Sequence, residues 1–258
     1  MKRLTGLLLV IATNSALAAP GHFEERAAKV EGVDYRYQVF VPTGLDASTH
    51  PPIVLFLHGS GERGDDNRKQ LSQGLPPWLH EHPDFPAVVV MPQARSGASW
   101  DNNTVSAAAL AILRLSVTEF HADPKQVYLT GLSDGGYGAW KLAAEHPGEF
   151  ASVVIVCGGV SSTWDGALSS GIWGAPVRDG AEAVFTWVAH RVRGTPIQIF
   201  HGADDTAVSP EQSRGMYAAL KSTGSPVRYT EYPGVGHGAW QKAYATPGLW
   251  AFYHPERR

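Results

Sequence analysis

Five short, mainly apolar runs set the frame of this chain: IVLFL (53–57), VVVM (88–91), VYLT (127–130), SVVIV (152–156) and IQIF (197–200), each closed by proline, glycine or polar residues. They are close to continuously apolar, and a strand without a polar face has to be buried on both sides, as in a parallel sheet under two layers of helix. Two alternating runs, YRYQVFVP (35–42) and VRYTEY (227–232), read as further strands. Between the strands, Leu110, Leu113 and Val117 recur at helical spacing within 104–120, and a helix-forming run from about Gly136 to Glu145 is stopped by Pro147. Shorter helical segments are expected at 68–73, 210–222 and 239–252, and 158–194 reads as a long irregular stretch, a candidate cap or lid. Strand and helix in alternation predict an α/β class with a mostly parallel central sheet flanked by helices. A chain of 258 residues holds this in a single domain.

The first twenty residues, MKRLTGLLLVIATNSALAAP, run from a basic start through a short apolar core to small residues at Ala16-Leu17-Ala18. That order predicts an export signal over 1–18 and a secreted or periplasmic domain over 19–258. The apolar core is far shorter than the roughly 20 residues a membrane anchor needs. A net charge of −3 without blocks of like charge argues against nucleic acid or an anionic membrane surface as partner. The single cysteine, Cys157, ends the apolar run SVVIVC and reads as a buried core thiol.

In parallel sheets, ligands bind at the carboxyl ends of the strands, so the residues that follow each strand carry the chemistry. After VYLT comes GLSDGG, with Ser133 between glycines where strand hands over to helix. G-x-S-x-G in that context is a nucleophile elbow. A serine hydroxyl needs a base, and the base needs an acid to orient it. Asp204 and Asp205 follow IQIFHG, and His237 and His254 are the histidines beyond them. His237, flanked by Gly236 and Gly238 in a loop, is the better placed base, while either aspartate can serve as acid or shape the turn. His58 and His201 precede glycines and are expected to make structural bonds. An oxyanion hole would take one N–H from Asp134, after the nucleophile, and one from the glycine-rich LHGSGERGDD, where Ser60 is the candidate. Gly59, Gly61 and Gly64 also match G-x-G-x-x-G, but a dinucleotide site wants a helix opening on those glycines and an acid ending the next strand. Here a polar loop follows, and the next strand ends in Pro92-Gln93. No clustered His and Cys spacing suggests a metal. Trp100 and Trp240 fall near strand ends, and Trp164 and Trp173 lie in the 158–194 stretch, so Trp100, Trp164 and Trp240 are candidate contacts for an aromatic or sugar group.

LHGSGERGDDN, the MPQ strand end followed by SW, DPKQVYLTGLSDGGYGAW, FHGADD and GHGAW occur in that order over nearly all of the chain after the signal. In this the sequence resembles the α/β-hydrolase superfamily, and within it secreted carboxylesterases and feruloyl-esterase-like or predicted-peptidase-like proteins. The resemblance implies a triad of Ser133, His237 and Asp205, with Asp205 preferred over Asp204 because the pattern runs HG, two residues, then Asp. It further implies oxyanion donors at Ser60 and Asp134, no cofactor, no metal, and a small-molecule or polysaccharide-linked ester as substrate. One position departs from the pattern: the residue after the nucleophile is usually apolar in similar proteins and here is Asp134.

Overall fold

The computed structural model describes residues 20–250 apart from 46, 47, 49, 165, 166 and 173, with backbone alone at 163, 164, 167 and 168. The expected export signal, 1–18, falls outside them. The chain opens with β1 (His22–Val30) and β2 (Val33–Val41), an antiparallel hairpin with His22 opposite Val41. Its two-residue turn, Glu31-Gly32, has positive φ at both positions (49° and 82°), the twist that suits a tight hairpin. β3 (Ile53–Leu57), α1 (Leu75–Glu81), β4 (Val88–Pro92), α2 (Asn103–Glu119), β5 (Val127–Leu132), α3 (Asp134–Glu145) and β6 (Ser152–Val156) follow. β7 (Ser162–Trp164) and β8 (Ala167–Ser169) form a separate small hairpin, then α4 (Ala181–Arg191), β9 (Ile197–Gly202), α5 (Glu211–Ser222), β10 (Val227–Tyr232) and α6 (Trp240–Tyr244) complete the described chain.

The main sheet has eight strands in the order β1-β2-β4-β3-β5-β6-β9-β10, antiparallel through β1 and β2 and parallel beyond. Successive side chains of a strand point to opposite faces. On β3, Ile53, Leu55 and Leu57 enter the core under α2, α3, α4 and α5, while Val54 and Phe56 enter the core under α1 and α6. Both faces are thus covered, which is why the runs carry so few polar residues.

The pairing also sets the site. Leu57 lies beside Gly131, Leu132 beside Val156, and Val156 beside Phe200. The residues that leave these strands emerge side by side at one edge.

Three segments differ from expectation. The stretch 158–194 is not irregular throughout: α4 occupies 181–191, and its Val184, Val188 and Ala189 belong to the core, leaving only 158–180 for a cap. The helix expected at 68–73 is a single 3-10 turn at Lys69–Leu71, and α1 lies just beyond it, its prolines in the first turn where no backbone donor is required. The C-terminal segment expected at 239–252 is helical only as the short α6 in the described residues.

Candidate active site

Ser133 sits between β5 and α3 at φ 51°, ψ −119°, a backbone state that costs a non-glycine residue on the order of 1–3 kcal/mol. The surroundings hold it there. Its N–H donates to Val156 O on β6 at 2.9 Å, and its carbonyl accepts from Gly136 N–H at 2.8 Å. The flanking glycines are required by close approach: a Cβ on Gly131 would lie 2.0 Å from Gly135 O, and one on Gly135 would lie 2.0 Å from Leu57 O.

Ser133 Oγ–H points at His237 Nε2, 2.8 Å away, and His237 Nδ1–H points at Asp205 Oδ2, 2.7 Å away. Asp205 leaves β9 and is fully buried as a side chain, whereas Asp204 is exposed. Its Oδ1 accepts from the N–H groups of Ala207 and Val208 at 2.8 and 3.0 Å. Burial pushes the Asp205 carboxyl up, but the bonds from His237, Val208 and Ala207 outweigh it, and the group stays below the usual carboxylate range. The second ring near it, His201, is held by Ser213 Oγ and Val208 O, with Nε2 3.2 Å from Asp205 Oδ2. His237 rides on the loop after β10, which packs so closely on the end of β9 that a Cβ on Gly202 would meet Gly236 O at 2.2 Å. Its ring meets Trp240 edge-on at 5.5 Å, and Trp240 is tied to Gln73 through its indole N–H.

The segment after β3 reaches the same place. A Cβ built on Gly59 would be 3.6 Å from Ser133 Cβ, and Ser60–Glu62 forms a 3-10 turn with Ser60 exposed. Glu62, third in that turn, is buried, and burial pushes its carboxyl up against the backbone N–H groups of Gly59 and Glu62, which act to lower it. No α-helix opens directly on Gly59, Gly61 and Gly64: beyond the 3-10 turns the next helix is α1. The Asp134 N–H stands in the first turn of α3, where helical donors have no partner within the helix.

Residues that the sequence reading passed over fix this loop. Gln93, last of MPQ, accepts from Asn67 N–H at 2.7 Å and donates to Asp66 Oδ1 and Glu62 O. Gln38 of β2 donates to Asn67 O, and Gln70 donates to Asn67 Oδ1. The signal was present in sequence as the pairing of GDDN with MPQ, but only the fold shows what it is for. Trp100 corrects an expectation. It is 1% exposed, its indole N–H donates to His58 O at 2.8 Å, and its ring packs edge-on against His58, so it is a core residue with no surface for substrate. The Trp164 side chain and Trp173 lie outside the described residues.

Asp134 does not turn to solvent. Ser99 Oγ–H donates to its Oδ1 at 2.5 Å, and Arg63 Nη2 lies 2.7 Å from its Oδ2, an ion pair off line for a hydrogen bond. Among the described residues, Cys157, Asp205 and His237 form the single grouping of metal-type side chains, with ligand atoms within 4.8 Å of one another. Both His237 nitrogens already have hydrogen-bond partners, and burial pushes the Cys157 thiol well up.

The sequence profile of the prolyl oligopeptidase family matches residues 98–254, a span that contains Ser133, Asp205 and His237. The chain belongs to the prolyl oligopeptidase family. A solved structure described as a thermostable esterase superposes with a TM-score of 0.70 at 29% identity, over 90% of this chain and 62% of that one. This prolyl oligopeptidase family member therefore has the α/β-hydrolase fold. An "Uncharacterized secreted protein" of Arthroderma benhamiae is 27% identical over 223 residues, 76% of this chain and 23% of that protein. A "Probable feruloyl esterase C" of Aspergillus terreus is 30% identical over 134 residues, 50% of this chain. The chain spans 23% and 48% of the lengths of these two relatives.

Proposed function

We propose that this protein is an exported serine hydrolase that cleaves carboxylic esters through an acyl-enzyme. The observation that supports it most is the unbroken line from Ser133 Oγ through His237 to the buried Asp205 carboxylate, at 2.8 and 2.7 Å. His237 takes the Ser133 proton as Oγ attacks the ester carbonyl, and Asp205 holds the imidazole in the right tautomer and stabilises the imidazolium. The N–H groups of Ser60 and Asp134 receive the charge that develops on the carbonyl oxygen. The imidazolium then protonates the departing alkoxide, and water releases the acyl group by the same route. The substrate is a small or polysaccharide-linked ester, with Trp240 beside His237 offering an aromatic face to it. The names of the esterase relatives favour that class, and the secreted relative fits the export signal.

The test is hydrolysis of p-nitrophenyl acetate, butyrate and octanoate and of methyl ferulate by the parent and by Ser133→Ala. Turnover should fall by at least roughly 10⁴-fold in the variant, the scale of nucleophile loss in serine hydrolases. A folded parent without turnover rejects the reading. Because the family takes its name from peptidases, peptide cleavage is the second reading, and a p-nitroanilide turned over faster than the matching ester would favour it.

A further inference from the structure

Asp134 poses a problem for the site as read above. Its N–H is a candidate oxyanion donor, yet the same residue carries a carboxylate, and a like charge left uncompensated beside a developing oxyanion raises the barrier to forming it. The neighbourhood is already anionic: one turn along α3, burial and the carboxylates of Asp205, Asp134 and Asp101 push the Tyr137 phenol up to about 12.

Arg63 answers this. It lies three residues after Ser60, in the loop that carries the other candidate donor, and its guanidinium crosses to Asp134 Oδ2 at 2.7 Å with both side chains partly buried. Its Nε is buried and has no hydrogen-bond acceptor among the described residues. Ser99 fixes the other Asp134 oxygen, and its neighbour Trp100 bonds the carbonyl of His58, just before the loop. The connections close a ring: His58, Trp100, Ser99, Asp134, Arg63 and back along the chain to His58.

We propose that Arg63 is a positioning residue of the oxyanion hole, needed because Asp134 follows the nucleophile. It cancels the Asp134 charge where the oxyanion forms and ties the Ser60 loop to the start of α3. This rests on the serine-hydrolase reading above and adds a dependence between two residues that the triad does not contain. If Arg63 served stability alone, Arg63→Met would lower the melting temperature and leave the kcat of the folded protein unchanged, since losing one member of a partly buried ion pair costs stability by itself. As a charge partner it behaves otherwise: losing Arg63 alone leaves the carboxylate uncompensated, and neutralising Asp134 as well relieves the fault.

The experiment compares Arg63→Met, Arg63→Lys and the double variant Arg63→Met/Asp134→Asn with the parent. Turnover of p-nitrophenyl acetate is followed with the rate of Ser133 labelling by a fluorophosphonate, and thermal unfolding checks the fold. Arg63→Met should lower kcat roughly 30-fold or more with KM within about threefold, since a charge opposing the oxyanion acts on the transition state. Arg63→Lys should keep kcat within about fivefold, and the double variant should regain at least about tenfold over Arg63→Met. Labelling rates should follow the same order. An Arg63→Met variant with unchanged kcat, or a double variant no faster than Arg63→Met, overturns the proposal. A folded parent that neither turns over the ester nor takes the label removes the serine-hydrolase reading and this inference together, whereas an active parent without recovery in the double variant removes this inference alone.

Discussion

His58 is wholly buried, and its two ring nitrogens do opposite things: Nε2 accepts from Ala94 N–H at 3.0 Å, and Nδ1–H donates to Gly59 O at 2.6 Å. Only the neutral imidazole can do both. Burial, set against the bond to Gly59, lowers its pKa from 6.5 to about 4. The unfolded chain therefore takes up a proton that the folded one refuses. The stability this group contributes is complete above the unfolded value and falls as pH drops from about 6.5 to about 4, by roughly 3 kcal/mol in all. The urea midpoint should decline between pH 7 and pH 4, while NMR should show the His58 ring still neutral at pH 5; a ring titrating near 6.5 would refute this. At this scale the sequence was legible where residue type and flanking glycines single out a side chain, as with Ser133 and His237, which the fold brings to 2.8 Å of one another. It was not legible where burial decides. Asp204 and Asp205 are the same residue type one position apart, and Trp100 looks as suited to substrate as Trp240 until the core closes over it.

Among the elements, the elbow has the least tolerance. Gly135→Ala would put a methyl 2.0 Å from a backbone carbonyl of β3, which cannot rotate away. The variant should lose stability at or above the upper end of the roughly 1–3 kcal/mol typical of overpacking. Gly61→Ala, where no atom lies within 4 Å, should change stability by no more than about 0.5 kcal/mol. Denaturant midpoints of the two variants decide it. The parallel strands were legible because burial on both faces leaves a nearly unbroken apolar run. α4 was not, because its AEAVFTWVAHR is rich in β-branched and aromatic residues that favour strand, and only packing against the core makes it a helix. β1 escaped because HFEERAAKV, an edge strand with every position half-buried or exposed, has no apolar signature, and its turn holds Glu at a position where Asn or Asp would announce a hairpin.

Over the whole molecule, sheet order does what local sequence cannot, bringing Ser133 and His237 together across 104 residues of chain. The class of fold could be read from alternating runs, but strand order could not, since nothing in a run names its neighbour. The same burial seals off Cys157, which lies at the end of β6 with no exposure. Its thiol should react with an aromatic disulfide reagent only as fast as the molecule opens, and in full on adding denaturant; rapid reaction under native conditions would contradict the packing. Because the chain has no other cysteine, one placed on its surface would be the sole thiol open to reagents. Leu115, 51% exposed, lies near the end of α2 that leads into the start of β5, the end of that strand opposite Ser133. A cysteine there would let the protein be tethered to a bead or electrode in one orientation, with the strand ends that carry Ser133 turned to the solution.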